Sequence, residues 1–448
     1  MGKTWATSGL DLQVDLRGTR VRAGLEEALR EAVRSGRLAG GTRLPSSRAL
    51  AADLGVSRNT VADAYGQLAA EGWLTAAHGS GTRVAETVRP APPSPAPAVR
   101  ARQARFDLRA GAPDVASFPR SGWLGALRRA LAAAPAASLG YGDLRGVEPA
   151  RAALAAYLAR ARGVRADPER VVFCSGFAQG LDLLGRTLRG TVAVEAFGHR
   201  LHHQAIAANG LRVATVPVDE RGAVLDTLGR AAAALLTPAH QFPLGMTLAA
   251  ERRLQAVGWG GVVIEDDYDG EFRYDQRPVG ALQALAPDRV VYAGTASKSL
   301  APGVRLAWLV LPERLLEPVV EARRLVGGPS ALEQLALAEL IRSGAYDRHV
   351  RRMRQAYRRR RDRLVAALPA GARATGIGAG QHVVVELPPG RSEQETVARA
   401  AARGLLLEGL GSFAAPGAEH PPALVVGYGT PPEHAFDAAV GALRTLLR

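Results

Sequence analysis

Between Thr87 and Arg105 the chain carries Pro90, Pro92, Pro93, Pro95 and Pro97 among alanines and arginines, with almost no large apolar side chain. Proline locks φ and removes a backbone donor, so this stretch can neither continue a helix nor supply a core. It predicts a semi-extended tether over 86–105, with one domain before it, over 14–85, and a larger one after it, over 106–448. With 448 residues and 47% apolar side chains the chain can bury more than one core, which excludes general disorder. The formal charge of +15 points to an anionic partner without choosing among nucleic acid, membrane surface and phosphorylated ligand. A single cysteine, Cys174, rules out an internal disulfide framework, and its apolar run Val171-Val172-Phe173 predicts a packed core thiol. No signal peptide or long apolar span is read, so the expected compartment is the cytoplasm, with no membrane partner.

In the first part, apolar residues recur at helical spacing from Val21 to Val33 and stop at a Gly-rich break over 34–41. Ser46 or Ser47 can then cap a short helix over 48–53, Gly55 allows a tight turn, and Ser57 can cap a further helix reaching about Glu71. This is the grammar of a helix-turn-helix, although a purely structural helical hairpin would read the same way. Arg58, Asn59 and Thr60 fall in the first turn of the later helix, which meets base edges when such a helix enters the major groove, while Val61, Tyr65 and Leu68 face the core. Two short strands between Trp73 and Val84, around a Gly-rich tip, add a β-wing and favour a winged helix over the hairpin. The wording Arg43-Leu44-Pro45-Ser46-Ser47-Arg48, Gly55-Val56-Ser57-Arg58-Asn59-Thr60-Val61 and Glu71-Gly72-Trp73-Leu74 resembles the winged-helix domain of GntR-type transcriptional regulators. The resemblance implies DNA contacts at Arg48, Ser57, Arg58, Asn59 and Thr60, with His78 and Gly79 at the wing tip.

From Phe106 onward, strands alternate with Ala-rich helices, the pattern of a mostly parallel α/β sheet covered by helices. Val290-Val291-Tyr292-Ala293-Gly294-Thr295 reads as a buried strand that gives way to small residues presenting Lys298, one of only a few lysines in an arginine-rich chain. A buried lysine can lose its proton and attack a carbonyl, whereas arginine cannot, so a Schiff-base role competes here with an ordinary surface lysine. About thirty residues earlier the strand Val262-Val263-Ile264 ends in Glu265, Asp266, Asp267 and Tyr268. A lysine for an aldehyde and a carboxylate for a pyridinium nitrogen are what pyridoxal phosphate requires of a protein. Ser175-Gly176-Phe177, between a strand and a helix, offers backbone N–H groups and the positive end of a helix dipole, a ready phosphate site that many α/β proteins nonetheless use only as a turn.

Tyr141-Gly142-Asp143, Ser175-Gly176, Thr237-Pro238-Ala239-His240-Gln241, Glu265-Asp266-Asp267-Tyr268 and the 298–305 stretch occur in the order found in fold-type I aminotransferases. Joined to the winged helix, they resemble the MocR subfamily of GntR-type regulators over practically the whole chain. The resemblance implies that Lys298 holds pyridoxal 5'-phosphate as a Schiff base, Asp266 faces the ring nitrogen and Tyr268 the phenolic oxygen. It further implies that Arg305, Thr295, Ser297 and the N–H groups of Ser175, Gly176 and Phe177 gather the phosphate, with Gln241 near the ring. Asp267, its neighbours' opposite in a strand, is expected to point away.

Two positions depart from the subfamily. Where members carry a ring-stacking aromatic residue, the loop reads Ala196-Phe197-Gly198-His199, so that His199 or Phe197 substitutes or the loop is shortened. Where an arginine clamps the substrate carboxylate, Val425 stands. His202, His203 and His240 lack the companion carboxylate or thiol spacing of a metal site. The arginines between Arg348 and Arg363 read as a solvated helix face or as a second DNA-contacting surface. The expectation is a homodimeric regulator that binds a double-stranded operator with repeated half-sites and senses pyridoxal phosphate or an amine, with a working aminotransferase as the alternative.

Overall fold

In a computed structural model of the chain, the described residues are 21–77, 81–86, 104–274 and 279–448. His78 and Gly79, the start of the expected first domain and nearly all of the expected tether lie outside them. The chain divides into two compact units, Met1–Ala101 and Arg102–Arg448.

The first unit packs helices Val21–Arg34, Ser47–Leu54 and Arg58–Ala70 against an antiparallel ribbon of Leu74–Ala77 and Gly81–Val84. Ser46 caps the second helix by accepting from Ala49 N–H at 3.2 Å, and Gly55 ends it at φ 65°, a left-handed conformation that a side chain would resist. Ser57 caps the third helix through Thr60 N–H at 3.0 Å. Its Val61, Tyr65 and Leu68 are buried with Leu25, Leu29, Leu50 and Leu54, the face that their spacing predicts. Arg30 on the first helix forks onto the Glu71 carboxylate at 2.8 and 2.9 Å, tying the two helices at their rims and holding that carboxyl down at about 2.

The second unit is built on a seven-stranded sheet, in the order Val171–Cys174, Ala307–Val310, Val290–Thr295, Val262–Asp266, Ala233–Leu236, Thr191–Glu195 and Arg212–Val216. All neighbours run parallel except Ala307–Val310, which is antiparallel to both of its own. The central strands are buried along their whole length, as continuous apolar runs covered by helices on both faces require. Cys174 is fully buried, and burial pushes its thiol up to about 12, which makes it a core residue. A second, four-stranded antiparallel sheet orders Arg373–Thr375, His382–Glu386, Ala423–Gly427 and Glu408–Gly409.

The helix Ala345–Ala367 buries Tyr346, Val350, Met353, Tyr357 and Leu364 along one stripe. Arg360 departs from the solvated reading of this helix. It is 2% exposed, pairs with Asp114 at 2.7 Å and with Glu433 at 2.8 Å, and donates to the Pro431 carbonyl.

Candidate functional site

In the first unit, Arg48, Ser57, Arg58 and Asn59 are exposed and Thr60 is half-buried. The cap geometry explains their grouping: the turn that places Ser57 over the first N–H groups leaves the side chains of Arg58 and Asn59 projecting from the helix start. Thr60 is partly engaged, since its hydroxyl lies 2.8 Å from that of Ser57.

In the second unit, the parallel strands end in a row of polar residues at one edge. Glu195, Thr237, Asp266 and Thr295 all follow apolar strand interiors there, because in-register parallel strands bring their carboxyl ends to one side of the sheet. A cavity opens over this edge. Lys298, Asp266, Tyr268, Thr295, Ser297 and Arg305 line it, as do Gly176 and Phe177 from the opposite junction. Eight of the ten sequence-derived positions thus converge. Ser175 and Gln241 do not line it: Ser175 donates its N–H to the Gln179 side chain at 2.7 Å, and Gln241 is fully buried behind the wall, donating to the Phe197 carbonyl at 2.9 Å.

At one end Gly176 begins the helix Phe177–Thr187 at φ 120°, with no side-chain cap. A Cβ there would come within 3.1 Å of the Arg305 guanidinium, so only glycine lets that guanidinium reach the helix start. Arg305 itself takes a left-handed conformation at φ 54°. The helix's first N–H groups, the guanidinium and the Ser297 hydroxyl form a cradle with the chemistry for a phosphate.

At the middle stands Lys298, whose Nζ donates to the Gly111 carbonyl and whose own carbonyl accepts from Gln381 at 2.7 Å. Burial lowers its pKa, and the carboxylates of Asp269 and Asp266 oppose that shift in part. Asp266 is 7% exposed, and burial pushes it well above the ordinary carboxylate range against the pull of Lys298. Glu195, also lining the cavity, is pushed up to about 7 by burial while Thr237 and Gln241 donate to it. Tyr268 places its hydroxyl 3.0 Å from His240 Nδ1, and that same nitrogen lies 2.8 Å from Asp269, so phenol, imidazole and carboxylate meet at one ring nitrogen. Burial keeps His202 and His382 down at about 3 and also lowers His199 and His203, which leaves these rings neutral near pH 7.

Asp267 faces the other way, as expected. Arg162 grips it at 2.7 and 3.1 Å and Tyr292 donates to it at 2.8 Å. Both His199 and Phe197 reach the cavity, Phe197 as part of the wall and His199 with its ring 14° from parallel with that of Phe242. Val425 is fully buried against Phe197 and Phe413. Sequence reasoning missed Glu195, Asp269, Gly111, Gln381 and His382 as cavity residues. Glu195 had a usable signal, since it ends an apolar strand as Asp266 does, and Asp269 closes the same acidic run as Asp266; the others sit on a loop and a remote strand with none.

A winged helix and a fold-type I aminotransferase-like domain are the two parts these observations define. The family description "Bacterial regulatory proteins, gntR family" matches residues 22–84, and "Aminotransferase class I and II" matches residues 106–411. The pyridoxine biosynthesis transcriptional regulator PdxR of Corynebacterium glutamicum is 35% identical over 420 residues, covering 88% of this chain and 89% of its own. The probable rhizopine catabolism regulatory protein MocR of Rhizobium meliloti is 35% identical, covering 76% of each chain. A kynurenine aminotransferase of Pyrococcus horikoshii superposes with a TM-score of 0.69 at 25% identity, over 76% of this chain and 90% of that one. The chain belongs to the MocR-type GntR regulators: it is a transcriptional regulator with a GntR helix-turn-helix and an aminotransferase-like domain. Among the described residues no helix is long and apolar enough to cross a membrane.

Proposed function

We propose that this regulator binds pyridoxal 5'-phosphate in the second unit and couples occupancy of that cavity, by the cofactor or by an amine that reacts with it, to DNA binding by the first. The observation that carries this reading is the convergence of Lys298, Asp266 and the Gly176–Arg305 cradle on one cavity. These groups match the three polar ends of the cofactor. The cradle suits an anion, Asp266 is a carboxyl that burial biases toward its protonated form and that a cationic ring N–H would return to the carboxylate, and Lys298 offers an amine whose lowered pKa favours the nucleophilic form. The cofactor would supply an aldehyde and an electron-withdrawing ring. Tyr268, beside His240 and Asp269, would offer its hydroxyl to the cofactor's phenolic oxygen, and Gln381 Oε1, buried and without a hydrogen-bond partner among the described residues, offers an acceptor to a bound donor. The Corynebacterium relative's role as a pyridoxine biosynthesis regulator supports the cofactor itself as effector. Exposed Leu124, Leu131, Leu139 and Tyr141 support a homodimer, which suits an operator of repeated half-sites.

On the DNA, Arg58 and Thr60 read base edges and Arg48 holds the backbone. Arg58→Ala should therefore relax discrimination at one base pair by about 1–3 kcal/mol. Arg48→Ala should weaken all sequences and lower the salt dependence by about one phosphate's worth. Binding-site selection on genomic fragments measures the first and a salt titration the second; unchanged preference in Arg58→Ala would place the reader elsewhere.

The resemblance of the second unit to aminotransferases favours a second reading, an enzyme. Transamination needs the substrate Cα–H bond held over the ring by remote groups. With Val425 buried among Phe197 and Phe413, and with the lining histidines neutral, that side of the cavity presents, among the described residues, no cation for a carboxylate. Turnover of ordinary α-amino acids should stay far below ~1 per second in steady-state assays across amino donors; rates at or above that level would establish the enzyme.

A further inference from the structure

The positive charge of this regulator does not reside in its reader. Residues 21–86 hold eight arginines against seven carboxylates, whereas the single helix Ala345–Ala367 holds nine arginines against two. The helix divides its arginines by use. Arg360, Arg361 and Arg363 pair with Asp114, Glu433, Asp362 and Asp437. Arg348, Arg351, Arg352, Arg354, Arg358 and Arg359 are exposed, and among the described residues none of them pairs with a carboxylate. Arg348 and Arg354 donate to backbone carbonyls and Arg352 to His349, while Arg351, Arg358 and Arg359 are left to solvent.

Arg351 and Arg358 are one heptad apart, as are Arg352 and Arg359, with Gln355 between them on the same face. Like charges at i,i+4, here Arg348 with Arg352 and Arg354 with Arg358, destabilise a helix, so folding does not account for the pattern. The ridge runs about 16 Å along the axis from Arg348 to Arg359 at 1.5 Å per residue. A small anion would cover one or two of these side chains, whereas a polyanion with closely spaced phosphates covers them all. The forked guanidinium, rather than lysine, is the group that grips phosphate oxygens in pairs.

We propose that the exposed face of this helix is a second DNA contact, binding duplex phosphates without sequence preference while the winged helix reads bases. It rests on the reading of the chain as a DNA-binding regulator. The test is the slope of log affinity against log salt for full-length protein on a long duplex of unrelated sequence. Arg351→Gln, Arg352→Gln, Arg358→Gln and Arg359→Gln combined should reduce the slope by about 3 to 4, near 0.9 for each phosphate no longer neutralised. A matched variant removing exposed Arg189, Arg399, Arg403 and Arg444 keeps the same net charge and should leave the slope close to wild type. If the fourfold variant does not fold, Arg351→Gln and Arg358→Gln taken singly should each lower the slope by about 0.9.

An unchanged slope, or an equal reduction in the matched variant, overturns the proposal. So does a variant that keeps its duplex slope but no longer binds phosphatidylglycerol vesicles or an RNA hairpin, which would identify the face as a membrane or RNA surface. Failure of the reader is separate, since it alters the sequence preference of Arg58→Ala and not the slope that the ridge contributes.

Discussion

Lys298→Ala is expected to abolish covalent retention of pyridoxal phosphate completely: no protein-bound visible absorbance after gel filtration, and no cofactor mass fixed to the chain by borohydride. Asp266, Arg305 and the helix start at Phe177 remain in the variant, so weak reversible binding of the phosphate end should persist. The expected loss is specific because Lys3 is the only other lysine in the chain. Peptide mass spectrometry of the reduced wild type should place the whole adduct on Lys298; recovery of it on Lys3 or on the amino terminus would sink the assignment. The pH dependence follows from the sign of the shift. Burial lowers the Lys298 pKa, so its neutral, nucleophilic form persists to lower pH than in a free lysine, whose pKa is about 10.4. Capture of the aldehyde should therefore slow as pH falls through that lowered value, and the midpoint in a stopped-flow titration should lie below the free-lysine value.

Arg162→Met should cost about 3–5 kcal/mol of unfolding free energy in urea titrations, because it strands the Asp267 carboxylate, 1% exposed, with only the Tyr292 hydroxyl as its side-chain partner among the described residues. Combining it with Asp267→Leu should recover most of the loss, since removing both charges removes the desolvation penalty along with the attraction. A cost below about 1 kcal/mol for the single change would mean that water reaches the pair and that Asp267 is not a buried structural carboxylate. The contrast with Asp266 has a simple geometric origin. Adjacent residues in one strand project to opposite faces, so one carboxylate meets the cavity and the other a buried guanidinium, and neither could exchange roles without a register slip.

Much of the site was legible because its parts are local. A strand that ends in a carboxylate, a lysine after a run of small residues and a glycine opening a helix are each defined by neighbours along the chain, and parallel register then aligns such strand ends without further information. Period-two alternation likewise turned Asp267 away from Asp266, and Ser46, Gly55 and Ser57 marked the helix ends of the reader through backbone hydrogen-bonding needs that any sequence must meet. What the chain by itself left undetermined was every relation between distant segments. Gly111 accepts from Lys298 across 187 positions, Gln381 and His382 arrive from the second sheet, and Asp269 meets His240 from 29 positions away. Gln241 and Ser175 belong to the same motifs as true lining residues, yet the Gln241 amide and the Ser175 N–H find their partners within the wall. Arg360 shows the reason most plainly. Helical spacing puts it on the buried stripe, three residues after Tyr357 and four before Leu364, and leaves Arg358 and Arg359 in water, but only the arrival of Asp114 and Glu433 from far along the chain gives the buried guanidinium its partners.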